Sequence, residues 1–537
     1  MTRIHKSVAD RYALICALAV LIIYTIILLH KPWALITTFA HDDALYTGIA
    51  RSLLDGEWLG TYNDRILAKP PGFSFFIAAT SVVGLPFHIA VAIFNAAATA
   101  FLAWSVLRLT DSRVATVAVF ALVLLSPQYF MLDRVLRETI YPAQVCLFLG
   151  IIIFWMTSKT NLRWGAASGL TFGWLWITRE DGIWLIPGVL MTLTLAEKSV
   201  AAKLKTSLAF GTAFAIIILS LGYLNYSYYG RWTIAEIKDP TFVGMISATQ
   251  SVSGDSPIPG VAVPRATRAR LYEVSPRFAT LRPFLDSPHF FDFACAQTPE
   301  RCGEIGNGWW HWAVRYAAWQ SGIHKSAGEA AEFYDQVRLD IETACEDGRL
   351  SCHRRIVKSL PTMSIEDVWQ MPSYMLRLLR NVFLIDRIVL TPELSGGAEP
   401  ALSNMYGTLQ RPPTFQSPEF ISTFLIDREA YQAGSVATFV QYVVDIYRFA
   451  FIAILLLVVM AATRRLFEFR TPRFNTVERI VLISLVFAGT RLALLAIVGT
   501  TSFSTSNAVY LGPVYHLTAF TMILFAYWIG SGGDSST

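Results

Sequence analysis

Long apolar runs alternate with short polar ones along most of the chain, and the runs are long for helices packed in a soluble core. They lie near 12–38, 87–107, 114–130, 139–157, 164–178, 183–197, 206–223, 438–462, 480–500 and 511–530. A helix crosses the hydrocarbon layer with about 20 apolar residues, so the pattern predicts about ten transmembrane helices, two of them short. The first run carries a basic flank (Arg3, Lys6, Arg11) like a signal peptide, but its apolar stretch is long for that role. We read it as a retained anchor. The stretch 72–84 is apolar but would reach only about 20 Å as a helix at ~1.5 Å per residue. It reads as a juxtamembrane helix lying on the surface.

Between 224 and 435 the alternation stops, and charges, Pro and Gly return together over a length sufficient for a domain. The chain thus divides into a transmembrane module (1–223) with a first loop at 40–86, an insert (224–435) and C-terminal transmembrane helices (436–537). Within the insert, Ser326 and Glu329 have capping-box spacing, and Phe333, Val337 and Ile341 recur at helical spacing up to Gly348. Stretch 371–390 is apolar but carries Arg377, Arg380, Asp386 and Arg387, a composition suited to a membrane interface. Stretch 251–263, rich in Ser, Gly and Pro, reads as a loop.

Composition agrees with this division. Hydrophobic residues make up 54% and charged residues 15% of 537 positions, with a mean hydropathy of +0.45, outside the range of soluble globular chains. The net charge of +5 does not mark a nucleic-acid binder, because the basic residues form short clusters between apolar runs instead of one stripe. They set orientation: with the N-terminus inside, Arg108, Arg113, Arg163, Lys203, Lys205, Arg464 and Arg479 all fall in cytoplasmic loops. The outer segments are then 40–86, 129–138, 179–182, the insert and 502–510.

Four of the six cysteines lie in the insert as Cys295/Cys302 and Cys345/Cys352. An outside-facing segment is oxidising, which predicts disulfides; zinc would call for tighter spacing. Two local bridges and two crossed ones both fit. Cys16 and Cys146 fall in spans and read as buried apolar side chains.

The residues able to carry chemistry gather on the predicted outer face. Asp42 and Asp43 follow the first span, and paired carboxylates at a membrane boundary are costly unless solvated, paired or metal-bound. A polar helix stop is the plainer alternative. Lys69 sits in Ala68-Lys69-Pro70-Pro71-Gly72, where the proline pair stiffens the backbone. The next outer loops carry Asp133, Arg134, Arg137 and Glu138, then Arg179-Glu180-Asp181-Gly182. A lysine and three arginines on tethered loops suit an anion clamp, since guanidinium forks match phosphate oxygens; mutual neutralisation within Arg137–Glu138 and Arg179–Glu180 is the structural alternative. Trp309, Trp310, Trp312, Tyr316 and Trp319 read as core packing or as sugar-stacking surface.

In this order the motifs resemble the GT-C glycosyltransferases of the protein mannosyltransferase and lipid A aminoarabinose transferase group. The residues that carry the resemblance are Asp42-Asp43 with Tyr46, Leu53 or Leu54 with Gly56, Lys69-Pro70-Pro71 and Arg179-Glu180-Asp181-Gly182, spread over roughly residues 1–230. The resemblance implies an all-α polytopic membrane protein, a GT-C-like helical bundle with a large, mainly helical extracytoplasmic insert. Its implied activity is glycosyl transfer of a hexose or pentose from a polyprenyl-phosphate sugar to an extracytoplasmic glycan, lipid or protein. Asp42 would be the base, with Asp43 where Glu often stands, and Lys69 would hold the donor phosphate together with Arg134, Arg137 and Arg179. Tyr46, Glu138, Glu180 and Asp181 would support them. Aminoarabinose transferases carry a metal-linked Glu before the Lys-Pro, where this chain has Ala68, so no cofactor is assigned and a divalent metal stays open. The expected setting is the bacterial inner membrane with the site facing outward. A transporter or lipid flippase is the rival, supported by Asp445, Arg448 and Arg491 inside later spans.

Overall fold

The computed structural model describes residues 2–31, 33–37, 42–132, 134–158, 161–196, 199–254, 258–288, 299–355, 363–389, 401–410, 434–466 and 475–531. Among these the regular structure is helical, with isolated β-bridges such as Ala34–Arg134 and Val252–Cys352. The protein is an all-α, polytopic membrane protein.

Seven of the described helices are long and apolar enough to cross a membrane: Asp10–Leu29, Phe87–Thr110, Arg113–Met131, Val200–Tyr229, Ala437–Met460, Thr476–Thr501 and Ala508–Gly530. The other three expected spans form shorter or less apolar helices, Tyr141–Thr157, Asn161–Thr178 and Gly182–Leu195. Tyr141–Thr157 is buried along nearly its whole length. Protein covers its ends, so it need not match the bilayer as a lipid-facing helix must.

The first helix ends at His30, short of the expected 38. Lys31 stops it by donating to the carbonyls of Tyr129 (2.8 Å) and Leu132. The apolar Trp33–Ile36 segment then runs on, buried beneath the loops. Its hydrophobicity reflects burial in protein, which composition alone cannot separate from burial in lipid. The Gly72–Val82 helix has 11 residues, about 16 Å at 1.5 Å per residue, roughly half the hydrocarbon thickness.

Helices Asn161–Thr178 and Val200–Tyr229 meet along Gly165, Gly169 and Gly173, spaced four apart on one face. A Cβ on Gly169 would fall 2.2 Å from the Phe210 carbonyl oxygen, so this ladder lets the two backbones touch. That close pairing fixes the end of Asn161–Thr178, from which the Arg179-Glu180-Asp181 turn projects.

The insert has a hydrophobic core of its own around Phe242, Met245, Leu271, Phe278, Trp310, Val314, Tyr334, Val337 and Ile341. Its helix Ala327–Glu346 starts where the Ser326 hydroxyl accepts the Glu329 N–H (3.2 Å) and stops before Gly348, whose φ of +75° favours glycine. Cys345 is bonded to Cys352 as a local bridge, and Cys302 is also disulfide-bonded; Cys295 lies outside the described residues. The predicted interfacial element begins earlier than expected, as helix Ile365–Val382 with a Ser364/Asp367 capping box. Ile365, Trp369 and Leu376 are exposed along it, while Tyr374 and Leu378 pack on the bundle.

Candidate active site

The proline pair of the first loop ends in Gly72, and that glycine explains how the loop is seated. A Cβ there would lie 2.6 Å from the Ile177 carbonyl oxygen and 2.9 Å from the Thr178 nitrogen. The start of Gly72–Val82 thus rests directly on the residues before Arg179. Lys69, three residues upstream, is thereby brought to the Arg179-Glu180-Asp181 turn. From the insert, Arg315 donates to the carbonyls of Asp64 (2.7 Å) and Ile66 (3.1 Å) and pairs with the Glu236 carboxylate. The Glu236 N–H in turn donates to the Leu67 carbonyl at 2.7 Å. Loop, bundle and insert meet at Lys69.

Asp42 stands at the N-terminus of helix Asp43–Leu54 without capping it. Its carboxylate instead takes the Lys69 ammonium at 3.0 Å, and its side chain remains 41% exposed. The Lys69 nitrogen lies over two rings, 5.6 Å from the Tyr46 centroid and 5.3 Å from that of Trp312, so an aromatic sleeve orients the cation. Crowding around Asp42 would raise its pKa. The charge and hydrogen bond of Lys69, with Arg137 and Arg134, outweigh that and hold the carboxyl below the ordinary range.

Asp43 differs. It is fully buried, pairs with Arg134 and accepts the Val135 N–H at 3.1 Å, joining the first and second loops. Burial pushes its pKa up to about 6 despite Arg134, and the neighbouring Asp42 charge adds to the rise.

The remaining charges form pairs; the adjacent Arg137 and Glu138 meet at 3.4 Å, and both Arg137 and Arg179 also reach carboxylates of the other loop. Arg137 makes a two-pronged contact with Glu180, one prong at 2.8 Å, and Arg179 reaches back to Glu138 while gripping Asp181 at 2.8 and 2.9 Å. These contacts between loops stitch the segment around Arg137 and Glu138 to the Arg179-Glu180-Asp181 turn. Burial alone would raise the Glu180 and Asp181 pKa values, but Arg137 and Arg179 respectively hold both carboxyls well down. Asp42, Asp43, Tyr46, Lys69, Arg134, Arg137, Glu138, Arg179, Glu180 and Asp181 therefore come together; Asp133 lies outside the described residues.

Three contributors were not assigned to the site from sequence. Arg491, in the Thr476–Thr501 helix, pairs with Asp181 and donates to the Tyr510 carbonyl at 3.2 Å. Trp312 leaves the tryptophan cluster to cover Lys69, whereas Trp310 is core and donates to Thr249 at 3.1 Å. Lys238 reaches the network from the insert. No local motif marks these residues, since each arrives by tertiary contact. Asn225, in a glycosylation-like triplet, is structural: its side chain donates to the Thr233 carbonyl (2.6 Å) and accepts the Trp58 indole N–H (2.9 Å).

Among the described residues no group of three or more His, Cys, Asp or Glu side chains could hold a metal ion. The site's carboxylates are each held by a cation, and Ala68 supplies no donor, so these residues do not fit a metal centre.

No protein-family model and no curated protein matches the sequence. Two solved structures align with 97% of the chain, both of ArnT from Cupriavidus metallidurans. One is bound to undecaprenyl phosphate (14% identity, 79% of that chain covered, TM-score 0.36) and the other is in the apo state (13%, 78%, 0.34). The likeness lies in the course of the chain.

Proposed function

We propose that this protein transfers a sugar from a polyprenyl-phosphate donor to an acceptor hydroxyl at the outer face of its membrane. The observation that carries the reading is the Asp42–Lys69 pair, a half-open carboxylate sharing its proton-binding face with a cation at a helix N-terminus. That arrangement supports a trigger. A donor phosphate placed at Lys69 competes for the ammonium, and as the pair loosens the Asp42 pKa rises toward its ordinary value. The carboxylate then becomes a better base when the donor is present.

The acceptor oxygen attacks the anomeric carbon while Asp42 takes its proton. The bond from that carbon to the phosphate oxygen breaks, and the electron pair leaves with the polyprenyl phosphate. Lys69 stabilises the growing charge, aided by the helix N-terminus and the long-range field of Arg137 and Arg134. Arg137, Arg179 and Glu180 act in this reading chiefly as a rigid frame, because their forks are already filled. A lipid-linked donor requires a site at membrane level, which accounts for a catalytic loop anchored by spans. The sugar is a hexose or a pentose, and the acceptor is a glycan, a lipid or a protein.

Static partners speak against the transporter alternative. Arg491 is locked to Asp181, Asp445 accepts from Arg387 at 2.9 Å, and Arg448 donates to the Leu384 carbonyl at 2.7 Å. These charges fasten loops and the amphipathic helix to the bundle. The test is incubation of purified protein with radiolabelled polyprenyl-phosphate sugars and a panel of cell-envelope acceptors. Transfer by the wild type that disappears in Asp42→Asn supports the reading; transfer undiminished in both Asp42→Asn and Asp43→Asn sinks it.

A further inference from the structure

Lys238 lies on the short turn Glu236–Lys238, where the chain enters the insert. Acids flank it in sequence, yet both are turned elsewhere. Glu236 is taken by Arg315 and by the Tyr62 hydroxyl (2.7 Å), and Asp239 by Arg231 (2.9 Å) and the Thr241 N–H (3.0 Å) at the start of the next helix. The turn is pinned through the Glu236–Leu67 backbone bond two residues before Lys69, so Lys238 is held at the site by the contacts that set the Lys69 loop.

The Lys238 ammonium is shut from water and has no hydrogen-bond partner among the described residues. It rests 4.5 Å from the centroid of Trp176, whose ring also lies against Gly182. The charges acting on it are those of the site, with Glu180 first, then Asp181 and Arg137. Glu180 and Asp181 are already gripped by arginines. A buried ammonium facing only an aromatic ring and distant, neutralised acids is costly, and an incoming anion relieves that cost.

We infer that Lys238 is a second anion-binding residue of the site, supplied by the insert, and that it takes a phosphoryl oxyanion of the substrate. Burial lowers its pKa to about 8, against the opposing pull of Glu180 and Asp181, so the amine is still mainly charged at neutral pH and its charge strengthens when a phosphate arrives. The inference rests on the transferase reading and extends it, because the insert then takes part in binding as well as covering the site.

The experiment compares wild type, Lys238→Met and Lys69→Ala for binding of a polyprenyl phosphate and, separately, of inorganic phosphate, with melting temperature recorded for each apo protein. Removing an amine that lacks a hydrogen-bond partner should leave the Lys238→Met melting temperature equal to or above wild type, a result that a purely structural lysine would not give. Affinity should fall about tenfold or more, the scale of one lost charge-assisted contact, while Lys238→Arg stays within a few-fold. Loss on the lipid probe alone assigns the anion to the lipid phosphate, and loss on inorganic phosphate alone assigns it to a free or acceptor phosphate; either supports the inference. Should Lys238→Met fail to fold, Lys238→Gln serves the same comparison. Unchanged binding of both probes in the Lys238 variants, with Lys69→Ala impaired, overturns this inference and leaves the transferase reading intact. A wild type that binds neither probe overturns both.

Discussion

Two buried arginine hubs in this protein do different work. In the insert, Arg315 spends its fork on one carboxylate and on the carbonyls of Asp64 and Ile66, partners that cannot leave without unfolding the loop. At the bundle end, Arg137, Arg179 and Arg491 are held by side-chain carboxylates of neighbouring loops, and the edge of that network is the half-open Asp42–Lys69 pair. Backbone partners make a hub rigid. The filled arginine forks at the bundle end form a frame as well, and exchange of partners is left to the half-open Asp42–Lys69 pair at its edge.

The comparison is broken most severely at Arg315. Arg315→Leu leaves the Glu236 carboxylate buried without its cation and should cost about 3–5 kcal/mol, seen as a large drop in melting temperature. Adding Glu236→Gln should restore part of it; a full-strength protein after the single change would show that the hub is not structural. At the other hub, Asp42→Asn should lower the melting temperature much less than Arg315→Leu does and lower turnover about 10²-fold, roughly 2.7 kcal/mol of barrier. A collapse in stability there would place Asp42 with the rigid class. Reducing Cys345–Cys352 opens a short loop at the far end of the Ala327–Glu346 helix and should cost about 2 kcal/mol. The melting temperature should fall on adding reductant while the affinity of folded protein for polyprenyl phosphate holds.

The smallest effect is on pH dependence, and it sharpens the contrast within the acid pair. Asp43 has a raised pKa near 6, so its contribution to stability is full below the unfolded carboxyl value and is lost as pH rises through about 6. Asp42 has a lowered pKa, so its contribution is present above the unfolded value and is lost as pH falls through the depressed one. Between those limits Asp43 is neutral and Asp42 charged. Arg134, released from Asp43, then turns toward Asp42 and weakens it as a base. Transfer should fall a few-fold as pH drops through about 6, and Asp43→Asn should remove that inflection. Persistence of the same limb in Asp43→Asn would assign it to another group.

Much of this was legible before the structure. Spans such as Phe87–Thr110 and Thr476–Thr501 announce themselves by apolar length, and the insert by the return of charge. The site's acids and cations were legible as a set because they recur in loops that topology places on one face. Their pairing was not: Arg137 touches the adjacent Glu138 at 3.4 Å but makes its two-pronged contact with Glu180, 43 residues away, which adjacency does not reveal. The first helix was read eight residues too long, because Trp33–Ile36 is buried in protein and not in lipid. Arg491 and Lys238 carry no local signature, and their roles come from partners hundreds of residues or several elements away.

The separation between the Asp64 carbonyl and the guanidinium that fixes it has a meaning in time. Arg315 follows Asp64 by 251 residues, and Arg491 follows Asp181 by 310. A ribosome adding about 5–20 residues per second needs roughly 10–50 s to cover the shorter distance. Throughout that interval the first loop has its acids and its lysine but not the clamp that shapes it. The nascent chain is therefore expected to enter the membrane with an unfinished site, and competence to bind substrate should arise late, when the last helices dock.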